Sequence, residues 1–360
     1  MEKSITSVIT GTGSYIPETV VDNSDFLDHS FLERNGDSFG KSNREIIEKF
    51  QEITGIKQRR YADDNWVASD LAAAAAEKAI EDSGMDPESL DYIIVAHNFG
   101  DVRHGNRRSD MVPSLASRVK AKLKIINPEC IAYDLPFGCP GWLQGIIQAN
   151  YFIRSGDANS ALIIGTETLS RISDPHDRDS MIYADGAGAT ILQAGEPGGS
   201  KGILSHAART DTESQAFYLA MDKSYNHNHD DTLFLKMDGR KLYQYAITHV
   251  PGLVKKSIDK ANLEITDIKK VLIHQANEKM DEAILSRLFK LYDLGSDDIP
   301  DGIMPMTISW LGNTSVATVP TLLDLIIRDE MEGQQIHPGD EVVFASVGAG
   351  MNINSVVYRF

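Results

Sequence analysis

Short runs of β-branched and other aliphatic residues, bounded by glycine or polar positions, recur along the chain. Ile93-Ile94-Val95-Ala96, Leu162-Ile163-Ile164, Val271-Leu272-Ile273 and Val342-Val343-Phe344-Ala345 do not alternate with polar residues. That is the pattern of strands buried on both faces, as parallel strands between helical layers are. Two pairs of runs also echo one another. Residues 86–96 read like residues 264–274, each a polar helix-end loop feeding a short strand, at an offset of 178 positions. Residues 161–166 read like residues 341–346, at an offset of 180. Helical patterns fit between the strands. An Ala-rich run from Leu71 to Asp82 has Ser69 and Asp70 before it as caps and Gly84 after it as a stop. A second helix is expected from Cys139 and Pro140 through Trp142, Leu143, Ile146, Ile147, Ala149 and Tyr151 to Gly156, proline being favoured at a first helical position. A third opens at Asn313, with Thr314 and Ser315 in its first turn and Val319, Leu322, Leu323 and Ile326 on its apolar face. Alternating strands and helices predict a layered α/β fold. The echo predicts two similar halves, residues 1–198 and 199–360, meeting in the glycine-rich stretch 195–202.

Composition narrows the function classes. With 35 Lys+Arg against 52 Asp+Glu the net charge is −17 and the isoelectric point is near 5.0, which leaves no broad basic surface for nucleic acid phosphates. A hydrophobic fraction of 42% with 24% charged residues lies in the globular range. No apolar run approaches the roughly 20 residues that span a bilayer, and residues 1–5 lack the apolar core of a secretory leader. The two cysteines, Cys130 and Cys139, are nine positions apart and cannot staple such a chain, so a reducing, cytoplasmic setting is expected.

Candidate chemistry begins with Cys139. It follows an extended segment from Cys130 to Phe137 and stands at a strand-to-helix turn between Gly138 and Gly141. The positive end of a helix dipole lowers a thiol pKa, which suits a nucleophile, although most cysteines are small buried hydrophobes. Cys130 fits the latter description. His274 ends the strand Val271-Leu272-Ile273, where open α/β sheets bind ligands, and is followed by Gln275, Ala276 and Asn277. Taken alone it reads as a core histidine, and Asn313 alone reads as an ordinary N-cap. The three Gly-x-Gly runs, at Gly11, Gly186 and Gly348, do not complete a dinucleotide fingerprint, because Ile16, Ile191 and Ile353 stand at its third glycine. The last run, Gly348-Ala349-Gly350, offers backbone N–H groups for an oxyanion. His227, His229, Asp230 and Asp231 cluster, but their polar, aperiodic surroundings read as a solvated loop rather than a metal site.

Taken together, Cys139, the His274-Gln-Ala-Asn277 run and the Gly312-Asn-Thr-Ser315 run resemble the β-ketoacyl-acyl-carrier-protein synthase III family of the thiolase superfamily. The resemblance runs over nearly the whole chain, from Gly11 through Pro17, Thr54-Gly-Ile56, Asp174 through Arg178 and Asp185 through Ala189 to Tyr358-Arg-Phe360. It implies a thiolase-like α/β fold, a duplicated αβαβα five-layered sandwich. It implies an acyltransferase that takes an acyl group on Cys139 and condenses it with a decarboxylating malonyl thioester, with His274 and Asn313 holding the thioester carbonyl. The oxyanion would sit between the backbone of Cys139 and that of Gly348, Ala349 and Gly350. No metal and no redox cofactor is implied. Implied partners are acyl carrier protein, a starter on coenzyme A or on carrier protein, and a second copy of the chain in a homodimer. Implied substrate-binding positions are Val112, which stands where the family contributes a Phe across its dimer, Trp142, Arg178 and Tyr243. Lys279 matches a carrier-docking arginine, and Arg287 lies two turns further along the same helix.

The chain also departs from the family. Lys49 and Ile53 stand where a Trp and an Arg usually grip the adenine end of coenzyme A, and residues 24–49 and 101–112 are longer than usual. Acetyl priming of fatty acid synthesis is therefore not assumed, and specialised secondary-metabolite ketosynthases or simple acyl-transferring members remain alternatives. Two rivals differ in class: a Cys-His-Asn thioester hydrolase and a non-catalytic partner subunit. Because a carrier protein is itself acidic, the charge of −17 calls for a local basic patch, expected at Lys279, Arg287, Arg240 and Lys241.

Overall fold

Both sequence echoes occupy equivalent places in two sheets. The structure, a computed structural model, describes residues 5–228 and 231–360. In chain order the elements are β1 (Ser7–Tyr15), β2 (Thr19–Asp22), α1 (Asn43–Thr54), β3 (Gln58–Tyr61), α2 (Ala68–Ser83), β4 (Tyr92–His97), β5 (Asp101–Arg103), β6 (Asn106–Asp110), α3 (Leu115–Lys122), β7 (Ile131–Pro136), α4 (Gly141–Ser155), β8 (Ser160–Thr168) and β9 (Asp185–Ala194). There follow β10 (Gly202–Thr210), β11 (Leu219–Lys223), β12 (Leu233–Met237), α5 (Gly239–Lys260), β13 (Ile268–Ile273), α6 (Glu278–Lys290), α7 (Ile308–Leu311), α8 (Thr318–Ile327), β14 (Glu341–Gly348) and β15 (Asn352–Arg359). One sheet has the order β1-β9-β8-β4-β7 and the other β10-β15-β14-β13. The echoed strands β4 and β8 pair in parallel, as do β13 and β14. The stretch 195–202 links β9 to β10.

The sheets are mixed rather than parallel throughout. β9 runs antiparallel to β8 and β1, and β15 antiparallel to β14 and β10. The unbroken apolar runs reported burial on both faces, which does not fix strand direction. That burial is literal. Ile93 and Val95 of β4 and Leu162 and Ile164 of β8 face α2 and α3, whereas Ile94, Ala96 and Ile163 face α4 and α8. On β14, Val342 and Phe344 meet the same central pair of helices, and Val343, Ala345 and Val347 meet α5 and α6. The period-2 geometry of a strand thus produces five layers, α2/α3, sheet, α4/α8, sheet and α5/α6. No helix of the described residues is long and apolar enough to cross a membrane.

Local signals were close but displaced. α2 starts before Ser69, with Val67 as N-cap and its N–H donated to the Asp70 carboxylate at 2.9 Å. Ser69 is buried and gives its hydroxyl to Asp101 at 2.7 Å, so a tertiary bond replaces the expected cap. Gly84 ends the helix in the left-handed region, φ 65°. Beyond Asn313 comes a 3-10 turn, Ser315–Ala317, and the α-helix begins only at Thr318.

Trp142 is the main correction to the expected substrate positions. It is 1% exposed in the central layer, its indole donates to Thr190 Oγ1 at 3.2 Å, and its ring meets Phe344 edge-on at 5.8 Å. The second position of α4 points between the sheets, so the larger aromatic fills core. Phe344, 1% exposed, also meets Tyr358 at 6.3 Å and so joins the helix of one half to the sheet of the other. Phe344→Ala is expected to cost about 3–5 kcal/mol, read as a lowered urea midpoint with little change in slope.

Candidate active site

The nucleophile candidate sits where backbone approaches backbone. β7 ends at Pro136, Gly138 turns the chain with φ 72°, and Cys139 precedes α4, whose N-cap is Pro140. Gly348, at the end of β14, lies directly against it, and a Cβ there would fall 2.6 Å from Cys139 N and 2.9 Å from its Sγ. This contact brings the backbone of Cys139 beside that of Gly348 and Ala349. Gly350 follows with φ 77°.

His274 stands just past β13 and is 3% exposed. Its neighbour Gln275, fully buried, ties this corner to the segment leading into α7. The Gln275 amide donates to the Pro305 carbonyl at 2.8 Å and its Oε1 accepts the N–H groups of Thr307 (2.8 Å) and Ile308 (3.0 Å). Asn277 caps α6 by accepting the Met280 N–H at 3.0 Å. Asn313 follows Gly312 (φ 68°) and is strung across the other half, its N–H on the Ile182 carbonyl at 3.0 Å and its carbonyl on the Ala184 N–H at 2.9 Å. Its Oδ1 accepts the Ser315 N–H at 2.7 Å, which leaves the amide Nδ2 donors available to the cleft that Asn313 lines. The Ser315 hydroxyl in turn donates to Cys139 Sγ at 3.2 Å. Cys139 and Asn313 thus meet at Ser315, whose backbone His274 also contacts.

Burial pushes the Cys139 thiol up to about 11, although the Ser315 hydroxyl pulls it down. The direction is opposite to the low value expected at a helix start, because loss of solvent disfavours the thiolate. Burial likewise lowers His274 to about 4, against a backbone contact with Ser315 that raises it. Both groups are neutral at pH 7.

A cleft of about 600 Å³ reaches Asn313, walled by Phe39, Ile46, Phe50, Ile182, Met237 and Leu242. Tyr243 and Arg178 line it, as do Lys49 and Ile53, and the Arg178 guanidinium lies 5.1 Å from the Phe39 ring centre. The long 24–49 segment therefore builds one wall. Arg240 is also at the cleft, whereas Lys241 pairs with Asp238 at 3.0 Å. Val112 is 87% exposed and outside the cleft of its own chain. Lys279 is exposed, 3.9 Å from Glu52, and Arg287 donates to the Ile247 carbonyl at 2.9 Å, tying α6 to α5. Cys130 is buried. Of the acidic histidine cluster, His229 and Asp230 lie outside the described residues, and Asp231 pairs with Lys223 at 2.6 Å. Among the described residues no group of three or more His, Cys, Asp or Glu side chains is arranged to hold a metal. Glu167 is the one carboxylate in the fully buried β8, and that placement is its signal in the sequence.

Residues 133–212 match the family described as 3-oxoacyl-[acyl-carrier-protein] synthase III, and residues 258–360 match its C-terminal part. A β-ketoacyl-[acyl-carrier-protein] synthase III of Staphylococcus haemolyticus is 33% identical over 353 residues, 98% of either chain. Among solved structures, the 3-oxoacyl-[acyl-carrier-protein] synthase III of Aquifex aeolicus has a TM-score of 0.81 at 27% identity, over 98% of this chain and all of that one. The corresponding protein of Pseudomonas aeruginosa has a TM-score of 0.80 at 27% identity, over 99% and 98%.

The depressed His274 value has a consequence for stability. An unfolded histidine binds its proton near 6.5 and the folded one near 4, so the unfolded chain binds more protons between those values. The stabilising contribution is complete above pH 6.5 and is lost as the pH falls toward 4, an effect on the order of 3 kcal/mol. His274→Gln is expected to flatten the decline in urea stability between pH 6.5 and 4. An identical slope in the variant would contradict this assignment.

Proposed function

The chain belongs to the 3-oxoacyl-[acyl-carrier-protein] synthase III family, and from that premise we propose that it condenses an acyl thioester with a malonyl-carrier thioester through an acyl-Cys139 intermediate. The observation that carries this reading is the convergence of a thiol, a neutral buried imidazole and an amide with free N–H donors around Ser315. Acylation transfers the starter from its carrier thiol to Cys139, and the tetrahedral oxyanion lies between the Cys139 N–H and the Gly348-Ala349-Gly350 turn. The malonyl thioester then places its carbonyl oxygen on His274 and Asn313. Loss of carbon dioxide leaves an enolate, and two donors aimed at its oxygen stabilise the charge in a dry site. The enolate carbon attacks the acyl carbonyl, and the sulfur leaves. Chemistry split in this way is covalent catalysis with ping-pong kinetics.

The cleft carries exposed Lys41, Lys49, Arg178 and Arg240 beside Glu33 and Glu45. These cations would meet phosphate, a group that coenzyme A and a phosphopantetheinylated carrier share, so either carrier could deliver the starter. The acidic carrier would dock on Lys279 and Arg287. A homodimer would bring the exposed Val112 and the edge strand β7, with Ile131 49% exposed, against a partner.

Two experiments test this. Intact mass after incubation with acyl donors should show an adduct that Cys139→Ala loses. His274→Ala and Asn313→Ala should keep the adduct while release of labelled carbon dioxide from malonyl-carrier falls about a hundredfold or more. Free acid without carbon dioxide from the unaltered protein would instead identify a hydrolase. For docking, Lys279→Glu should raise the apparent KM for malonyl-carrier and spare a small malonyl thioester. It separates charge from packing, because Arg287 also holds two helices together. An unchanged KM removes Lys279 from the docking surface.

A further inference from the structure

Behind the nucleophile lies a chain of polar groups that the condensation scheme does not use. Ser315, 4% exposed, donates its hydroxyl to Cys139 Sγ at 3.2 Å. Asn98, in the turn after β4, donates through Nδ2 to Ser315 Oγ at 3.0 Å and to the Glu167 Oε1 atom. The Asn98 backbone N–H reaches the same Oε1 at 2.9 Å, and Glu167 is 2% exposed on β8. The direction of this chain follows from the donor inventory. Oε1 accepts twice, so the amide NH2 faces it, and the second Nδ2 hydrogen fills a lone pair on Ser315. Ser315 has a single hydroxyl hydrogen, and it is left to point at sulfur. The turn itself is braced. His97 Nδ1 accepts the Gly100 N–H at 3.0 Å, and His97 Nε2 lies 3.0 Å from an Asp134 carboxylate that also accepts the Leu115 and Ala116 N–H groups.

We propose that Ser315 is a catalytic residue that keeps a hydrogen bond on the Cys139 sulfur while negative charge develops there, and that Asn98 and Glu167 are positioning residues that hold the hydroxyl in that aim. The proposal rests on the acyl-cysteine reading. In acylation the sulfur bonds to the thioester carbonyl carbon, the bond from that carbon to the carrier sulfur breaks, and the carrier leaves as a thiol with the proton that Cys139 lost. In condensation the new carbon–carbon bond expels the Cys139 sulfur with its electron pair, carbon dioxide departs, and one proton from solvent restores the thiol. The sulfur carries charge in both half-reactions, so one fixed donor serves both. Burial, reinforced by Asp185, pushes the Glu167 carboxyl up to about 8, which favours its neutral form, and in its charged form Glu167 raises the Cys139 thiol, so the donor on sulfur works against that charge. Ser315→Ala would leave its backbone N–H on Asn313 intact and remove only the hydroxyl.

The test is the pH profile of carboxamidomethylation by iodoacetamide, read at Cys139 by peptide mass so that Cys130 does not interfere. Ser315→Ala should move the profile upward by about one pH unit and slow acylation about tenfold or more, and Asn98→Ala should move it in the same direction by less. A Ser315→Ala profile that coincides with that of the unaltered protein, with unchanged circular dichroism, overturns the proposal. If Ser315→Ala fails to fold, a coincident Asn98→Ala profile overturns it equally. The two readings separate cleanly. A shifted profile in a protein that releases no carbon dioxide keeps the sulfur donor and removes the condensation, whereas carbon dioxide release with an unmoved profile does the reverse.

Discussion

Everything at the site depends on Ser315 being held in a backbone conformation that serine disfavours. Its φ of 51° lies in the left-handed region, at a cost of roughly 1–2 kcal/mol for a residue with a Cβ. In that conformation the N–H reaches Asn313 Oδ1 at 2.7 Å and the hydroxyl reaches Cys139 Sγ at 3.2 Å. A helical residue at this position would lose one of the two. The expected helix from Asn313 therefore gives way to a short 3-10 turn, and the α-helix starts three residues after Ser315, at Thr318. Strain stored at one residue is what keeps the amide of Asn313 oriented and the sulfur of Cys139 in contact with a donor.

That conformation is held because two halves of the chain close on it. Cys139 and Glu167 come from the first sheet and its helix, and His274, Asn313 and Ser315 from the second. The halves meet through backbone. A Cβ on Gly165 would fall 2.3 Å from the Val316 carbonyl oxygen, and one on Gly348 would fall 2.6 Å from Cys139 N. Glycine at these positions lets β8 and β14 approach the two catalytic turns more closely than any side chain would permit. Gln275 then locks the His274 corner to the segment before Asn313, so the two donors proposed for the enolate are spaced by one buried amide.

Much of the layered fold was legible because buried strands announce themselves as unbroken aliphatic runs, and the echo at offsets of 178 and 180 placed β4 with β13 and β8 with β14. Strand direction was not legible, since a strand covered on both faces reads the same in either sense. Cys139, His274 and Asn313 became readable only as a set, each alone having a commoner structural use. The contacts of Ser315 with Cys139 and with Asn98 could not be read for another reason: they span 176 and 217 positions, and neither hydroxyl nor amide signals its partner locally. Trp142 misled because it stands only three residues after Cys139, while helix geometry turns it into the core.

The charge state of the site explains how these parts work together. A thiol raised by burial and an imidazole lowered by it leave the reacting corner without formal charge at pH 7. The charges of the reaction, on thiolate, oxyanion and enolate, all arise during chemistry and are negative. In the proposed assignment each meets N–H or O–H donors fixed before the substrate arrives, in surroundings where a hydrogen bond is worth more than in water. In the proposed role on the thioester carbonyl, a neutral His274 donor gains most when the enolate forms. The same separation of scales applies outside. A net charge of −17 opposes an acidic partner at long range, but salt screens it beyond about 8–10 Å. Inside that distance the lysines and arginines around the cleft set the local field. Repulsion of the whole and attraction at the mouth are therefore compatible, and added salt should weaken both rather than only one.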